Sequence, residues 1–142
     1  MIVLATRLTR TIEIQPKRST RLTPNPKAPM PQYIFNREDC VEIHPQPGAT
    51  ILAAEAEKMT LTIMEFEPNT VLPEHSHPHE QVGYMVEGEA EFVINGRSHQ
   101  VRPGQMWRLP GGVVHQVKVG GKFMRVVECF YPVREDFRGK EG

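Results

Sequence analysis

From residue 33 onward, apolar and polar positions alternate in short runs that Gly, Pro and Asn interrupt at close intervals. That period-two rhythm is the mark of strands. Residues 59–66 alternate and place Leu61 and Ile63 on one face. Further strands are predicted over 81–87, 89–95, 97–102, 106–109, 113–119 and 122–131. Gly88 separates two of them, and Asn95-Gly96 predicts a tight type I′ hairpin turn. On the last strand Met124, Val126, Glu128 and Phe130 share a face, opposite Phe123, Arg125, Val127 and Cys129. After residue 31 only a single turn, at 37–39, departs from this. An all-β barrel or sandwich follows from the pattern.

The chain has 142 residues, enough for one adequate core. Domain boundaries are expected at 1–31 for an arm, 32–138 for a barrel domain and 139–142 for a tail. Formal net charge is zero, which argues against nucleic acid as a partner. The average hides an asymmetry. Residues 1–30 carry six Lys or Arg against Glu13 alone, and Pro16, Pro24, Pro26 and Pro29 interrupt them. This stretch reads as a disordered or loosely attached basic arm. Its Arg- and Thr-rich, acid-poor composition suits a transit peptide, and a true start near Met30 is the competing account. No run approaches the length of a membrane span, so no membrane partner is expected. Cys40 and Cys129 are far apart and outside any paired spacing, which fits two free thiols in a reducing cytoplasm.

The candidate chemistry sits in His75-Ser-His77-Pro-His79-Glu80-Gln81, with His115 following later. Four of the six histidines are spent here. Imidazole suits zinc, iron, nickel and copper. Along an extended strand His75, His77 and Gln81 share one parity and can converge on one point. A solvated His-rich loop is the bland alternative, and spacing alone leaves the two about even. A second block, from Gly104 through Pro110 and Gly112 to His115, has the rhythm of strand, turn, strand and favours the metal. On the last strand, the pattern leaves Glu128 either buried among apolar neighbours or paired outside with Arg125 or Arg134. Buried, it is costly unless paired or metal-associated, and its pKa rises toward a general acid's range.

The two blocks together, His75-x-His77-x3-Gln81-x6-Gly88 and Gly104-x5-Pro110-x-Gly112-x2-His115, resemble the two signature motifs of the cupin superfamily. The match covers about residues 59–131. It departs from the family where Gln81 replaces the acidic ligand and Val119 replaces the asparagine that often ends the second motif. The resemblance implies a double-stranded β-helix (jelly-roll) barrel around one divalent transition metal, Ni, Zn, Fe, Mn or Cu. The segment Glu128-Cys-Phe130-Tyr-Pro132-Val-Arg134 narrows it to the KdgF-like small cupins of pectin and alginate breakdown, where glutamine is also a ligand.

That narrower resemblance implies His75, His77, Gln81 and His115 as metal ligands, and Glu128, Phe130 and Arg134 as catalytic or pocket residues. Glu128 stands where that group typically has aspartate. The implied reaction opens a 4,5-unsaturated monouronate, a small anionic sugar acid, to its linear 4-deoxy-5-keto form. Alternatives are a small-cupin dioxygenase and a non-catalytic binding or sensing module. Homodimerisation is expected, with residues 31–54 supplying edge strands. His79 is surplus to a four-ligand site. Trp107 reads as packing, Tyr84 or Met85 as possible pocket lining, Arg108 and Glu80 as solvated or structural, and His44 and His99 carry no signal.

Overall fold

The computed structural model describes residues 32–139. The arm expected over 1–31 and the tail beyond residue 139 lie outside the described residues. Ten strands follow in order: β1 (Val41–Ile43), β2 (Ala49–Glu55), β3 (Thr60–Phe66), β4 (Val71–His75), β5 (Glu80–Glu87), β6 (Ala90–Ile94), β7 (Arg97–Val101), β8 (Met106–Leu109), β9 (His115–Val119) and β10 (Met124–Tyr131). Short 3-10 turns occupy Arg37–Asp39 and Glu135–Phe137. Among the described residues no helix is long and apolar enough to cross a membrane.

Two antiparallel sheets result, one of six strands in the order β1-β2-β3-β10-β5-β8 and one of four in the order β4-β9-β6-β7. This is the double-sheet barrel expected. Asn95 and Gly96 both have positive φ, 48° and 75°, as a type I′ turn between β6 and β7 requires. The strand β4 has no counterpart in the local pattern. It contains Pro73, which a strand tolerates at the edge of a sheet, and β4 is an edge. Its pairing with β9 sets it.

The sheets bury their facing sides against one another. Ile51, Met64 and Phe66 meet Phe92, Val117, Met124 and Val126 in one apolar core. On β10 the alternation holds throughout, with Met124, Val126, Glu128 and Phe130 inward. On β3 the more apolar-looking face is the outer one. Leu61 is 50% exposed and Ile63 39%, while Thr60, Thr62, Met64 and Phe66 point inward. Register with β10 decides this, since Val126 pairs with Met64 and Glu128 with Thr62. Both buried threonines are satisfied: Thr62 Oγ1 donates to the Glu128 carbonyl at 3.3 Å, and Thr60 Oγ1 accepts from the Arg134 backbone N–H at 2.9 Å.

Candidate metal centre and acid–base site

His75 closes β4, His115 opens β9, and the two pair directly in register. His77 lies in the turn between β4 and β5, and Gln81 is the second residue of β5. The expectation of one extended strand carrying His75, His77 and Gln81 is therefore corrected. They come from two sheets joined by a turn, and His77 converges because the loop folds back rather than by strand parity. The second block is also not a hairpin within a sheet, because β8 and β9 belong to different sheets. Its turn packs on the histidine loop: Gly112 N–H donates to the His77 carbonyl at 2.8 Å. At Gly111 an added Cβ would lie 2.2 Å from the Pro78 carbonyl oxygen, so only glycine permits this approach.

The ligand atoms of His75, His77 and His115 all lie within 4.8 Å of one another. Each Nδ1 faces a backbone carbonyl: His75 to Pro73 at 2.8 Å, His77 to His79 at 3.0 Å, His115 to Val113 at 2.8 Å. A carbonyl only accepts, so each Nδ1 carries the proton and each Nε2 keeps its lone pair. Burial holds the His77 pKa down to about 4 and also lowers that of His115, which keeps both rings neutral at pH 7. Gln81 Oε1 lies 3.0 Å from His77 Nε2. With the Gln81 amide nitrogen engaged elsewhere, both facing atoms are acceptors, and a cation between them satisfies both. The donor set fits a divalent transition metal.

Glu128 is buried, 6% exposed, and points inward beside this cluster. The outside placement left open by the pattern does not occur; Arg125 pairs with Glu65 and Glu87 instead. Glu128 Oε1 accepts from Gln81 Nε2 at 2.5 Å and from Trp107 Nε1 at 3.1 Å. Burial outweighs these donors and pushes its pKa up to about 7. Glu128 also lines a cavity of about 380 Å³ together with the three histidines and Gln81. Its second oxygen has no hydrogen bond to a described residue, which leaves it for the cavity.

Arg134 lines the same cavity, and its guanidinium lies 4.7 Å from the Phe130 ring centre and 4.1 Å from that of Phe137. Asp136 takes one edge of it, from Nε at 2.8 Å and Nη2 at 2.7 Å. The fork expected to meet a substrate carboxylate is thus half occupied from within. Nη1 bonds no acceptor among the described residues. Away from these polar groups the cavity wall is apolar, with Ile51, Met64, Phe66, Val117 and Val126.

Trp107 packs on Phe92 at 4.8 Å, as the expected packing role requires. Its hydrogen bond to Glu128 and the pairing of Asp136 with Arg134 go beyond what the sequence pattern predicts. Gly83, opposite Trp107 in register, is the signal that could have found the former, since a Cβ there would lie 2.3 Å from the indole. Neither Tyr84 nor Met85 lines the cavity; Tyr84 is on the outer face and Met85 is sealed in the core. His79 stays outside the triad, its Nδ1 buried without a partner.

Residues 62–128 match the family model described as "Cupin domain". The regulator PuuR of Escherichia coli K12, an HTH-type transcriptional regulator, is 29% identical over 89 residues, covering 60% of this chain and 48% of PuuR. The chain thus spans about half the length of the curated relatives it matches. The solved structure of KdgF from Halomonas superposes with a TM-score of 0.69 at 23% identity, over 76% of this chain and all of that one. The polyketide cyclase RemF from Streptomyces resistomycificus superposes at 0.61 with 28% identity, over 70% of this chain and 79% of RemF.

Proposed function

We propose that this chain, whose residues 62–128 match a cupin domain and whose fold resembles that of KdgF, is a small cupin and a metal-dependent enzyme opening 4,5-unsaturated monouronates. One divalent transition metal would be held by His75, His77, Gln81 and His115. When bound, the ion supplies a Lewis acid and a template for substrate oxygens. The observation that carries the proposal is Glu128, a buried carboxyl with a pKa of about 7 and one oxygen left for the cavity.

The reaction is an isomerisation. The C1 hydroxyl loses its proton, the C1–ring oxygen bond breaks as C1 becomes an aldehyde, and the resulting C5 enolate takes that proton at C4 to become a ketone. Atoms balance with no co-reactant. Glu128 is half ionised near neutrality, so it can accept the proton and then deliver it. Gln81 cannot, since an amide does not titrate. Arg134 offers its Nη1 edge to the uronate carboxylate, while Phe130 and Phe137 fix the plane of the guanidinium.

The test is loss of ultraviolet absorbance of 4,5-unsaturated galacturonate, with zinc- or nickel-loaded and chelator-treated protein, against the spontaneous rate. Metal-dependent acceleration is expected. No acceleration by a protein shown to hold metal would overturn the uronate reading. A second reading, ligand sensing without turnover, is favoured by the likeness to half of a transcriptional regulator. It predicts saturable ligand binding that Glu128→Gln leaves unchanged and no consumption of the ligand.

We propose a homodimer as well. The outer face of the six-stranded sheet exposes Leu61, Val82, Tyr84 and Met106, an apolar patch of the kind that marks contact surfaces. Sedimentation should give twice the chain's 16.2 kDa; a monomer across the micromolar range would refute it.

A further inference from the structure

A glutamine ligates a metal through its amide oxygen, but the two ends of the amide have the same shape. Nothing in the side chain's own conformation selects which end faces the imidazoles. Here the selection comes from Glu128. Its Oε1 accepts whether the group is ionised or carries its proton on the other oxygen, and it takes the Gln81 Nε2 end at 2.5 Å. That leaves Gln81 Oε1 turned to His77 Nε2 at 3.0 Å. Glu128 is held in turn by the Trp107 indole N–H, on the same oxygen, at 3.1 Å.

The strand register builds this arrangement. Glu128 on β10, Gly83 on β5 and Trp107 on β8 lie in one row across three strands. With no Cβ on Gly83, the indole lies across its position and reaches the carboxylate. We infer that Trp107 and Glu128 act as a relay that fixes the orientation of the Gln81 amide and so makes Gln81 competent to hold the metal. Both are positioning residues in this role, separate from any proton transfer by Glu128. The relay rests on the metal-centre reading above. It also gives a reason for an amide at position 81: a carboxylate there would face Glu128 at hydrogen-bond distance, and two such groups cannot both ionise.

The experiment measures zinc and nickel affinity of the full chain by competition with a chromophoric chelator. Wild type is compared with Trp107→Phe, Glu128→Leu, which removes the acceptor, and the double variant. Partners that orient a ligand typically contribute 10–100-fold to metal affinity, so Trp107→Phe should weaken binding about tenfold and Glu128→Leu by about 10- to 100-fold. Loss of the Glu128 charge weakens cation binding by itself, so the charge-neutral Trp107→Phe decides. In the Glu128→Leu background it should cost nothing further, because the relay is already broken.

Wild-type affinity in a folded Trp107→Phe, or a full additive cost in the double variant, would overturn the relay alone. A wild-type protein that binds neither metal would overturn the metal centre and the relay together. If Trp107→Phe fails to fold, nuclear magnetic resonance takes over, since the chain has a single Trp and so one indole N–H resonance. That resonance should move on zinc binding and on Glu128→Leu; a fixed position in both would refute the inference.

Discussion

Glu128 makes a quantitative prediction about stability. Folding raises its pKa from 4.5 to about 7 because burial disfavours the anion more than Gln81 and Trp107 favour it. Between those values the folded protein keeps a proton that the unfolded chain has released. Raising the pH through this window therefore favours unfolding, and the loss is complete above about pH 7. At about 1.4 kcal/mol per pH unit, the full window is worth about 3 kcal/mol. Glu128→Gln removes the titration while its carbonyl still accepts from Gln81 and Trp107. The variant should gain on wild type by about 2–3 kcal/mol between pH 5 and pH 8. His77 and His115 act in the opposite sense, since their depressed pKa values make stability rise with pH through their own window. Both proteins carry them, so they cancel in the difference. Urea unfolding of chelator-treated protein at several pH values measures this directly. A difference that stays flat within about 0.5 kcal/mol from pH 5 to pH 8 would refute the burial argument.

Three further outcomes follow from the same geometry. Gly83→Ala forces a Cβ into the Trp107 indole and should cost about 1–3 kcal/mol in urea unfolding, while a neutral result would mean that the indole has room to move. Arg134→Lys loses the planar fork stacked on Phe130 and Phe137 and should raise KM for the unsaturated uronate about tenfold with little change in kcat; an unchanged KM would remove Arg134 from carboxylate binding. Zinc at about 100 times its Kd should stabilise the chelator-treated protein by about 2.7 kcal/mol, read as a higher melting temperature, and replacing His77 by Ala should abolish the gain.

The histidine cluster was legible in the sequence because its spacing is local, but the reason for its convergence was not. His77 reaches His75 and His115 through a turn that Gly111 and Gly112 support, and the link between that turn and the histidine loop is a tertiary contact. The inward placement of Glu128 was half legible. The alternation on β10 gave two faces, and only pairing with β3 and β5 decided which one is buried. On β3 the apolar residues Leu61 and Ile63 suggested a core face, yet the core took Thr60 and Thr62, whose hydroxyls bond to neighbouring backbone groups.

What the sequence determined by itself was the set of strands with strong alternation, the Asn95-Gly96 turn and the concentration of imidazoles near one glutamine. These depend on residues close together along the chain, where dihedral preference and period-two patterning act directly. Tertiary structure alone decided the partners across strands: His75 beside His115, and Trp107 over Gly83 onto Glu128. Register between strands sets both, because one residue of slip would turn each side chain to the opposite face.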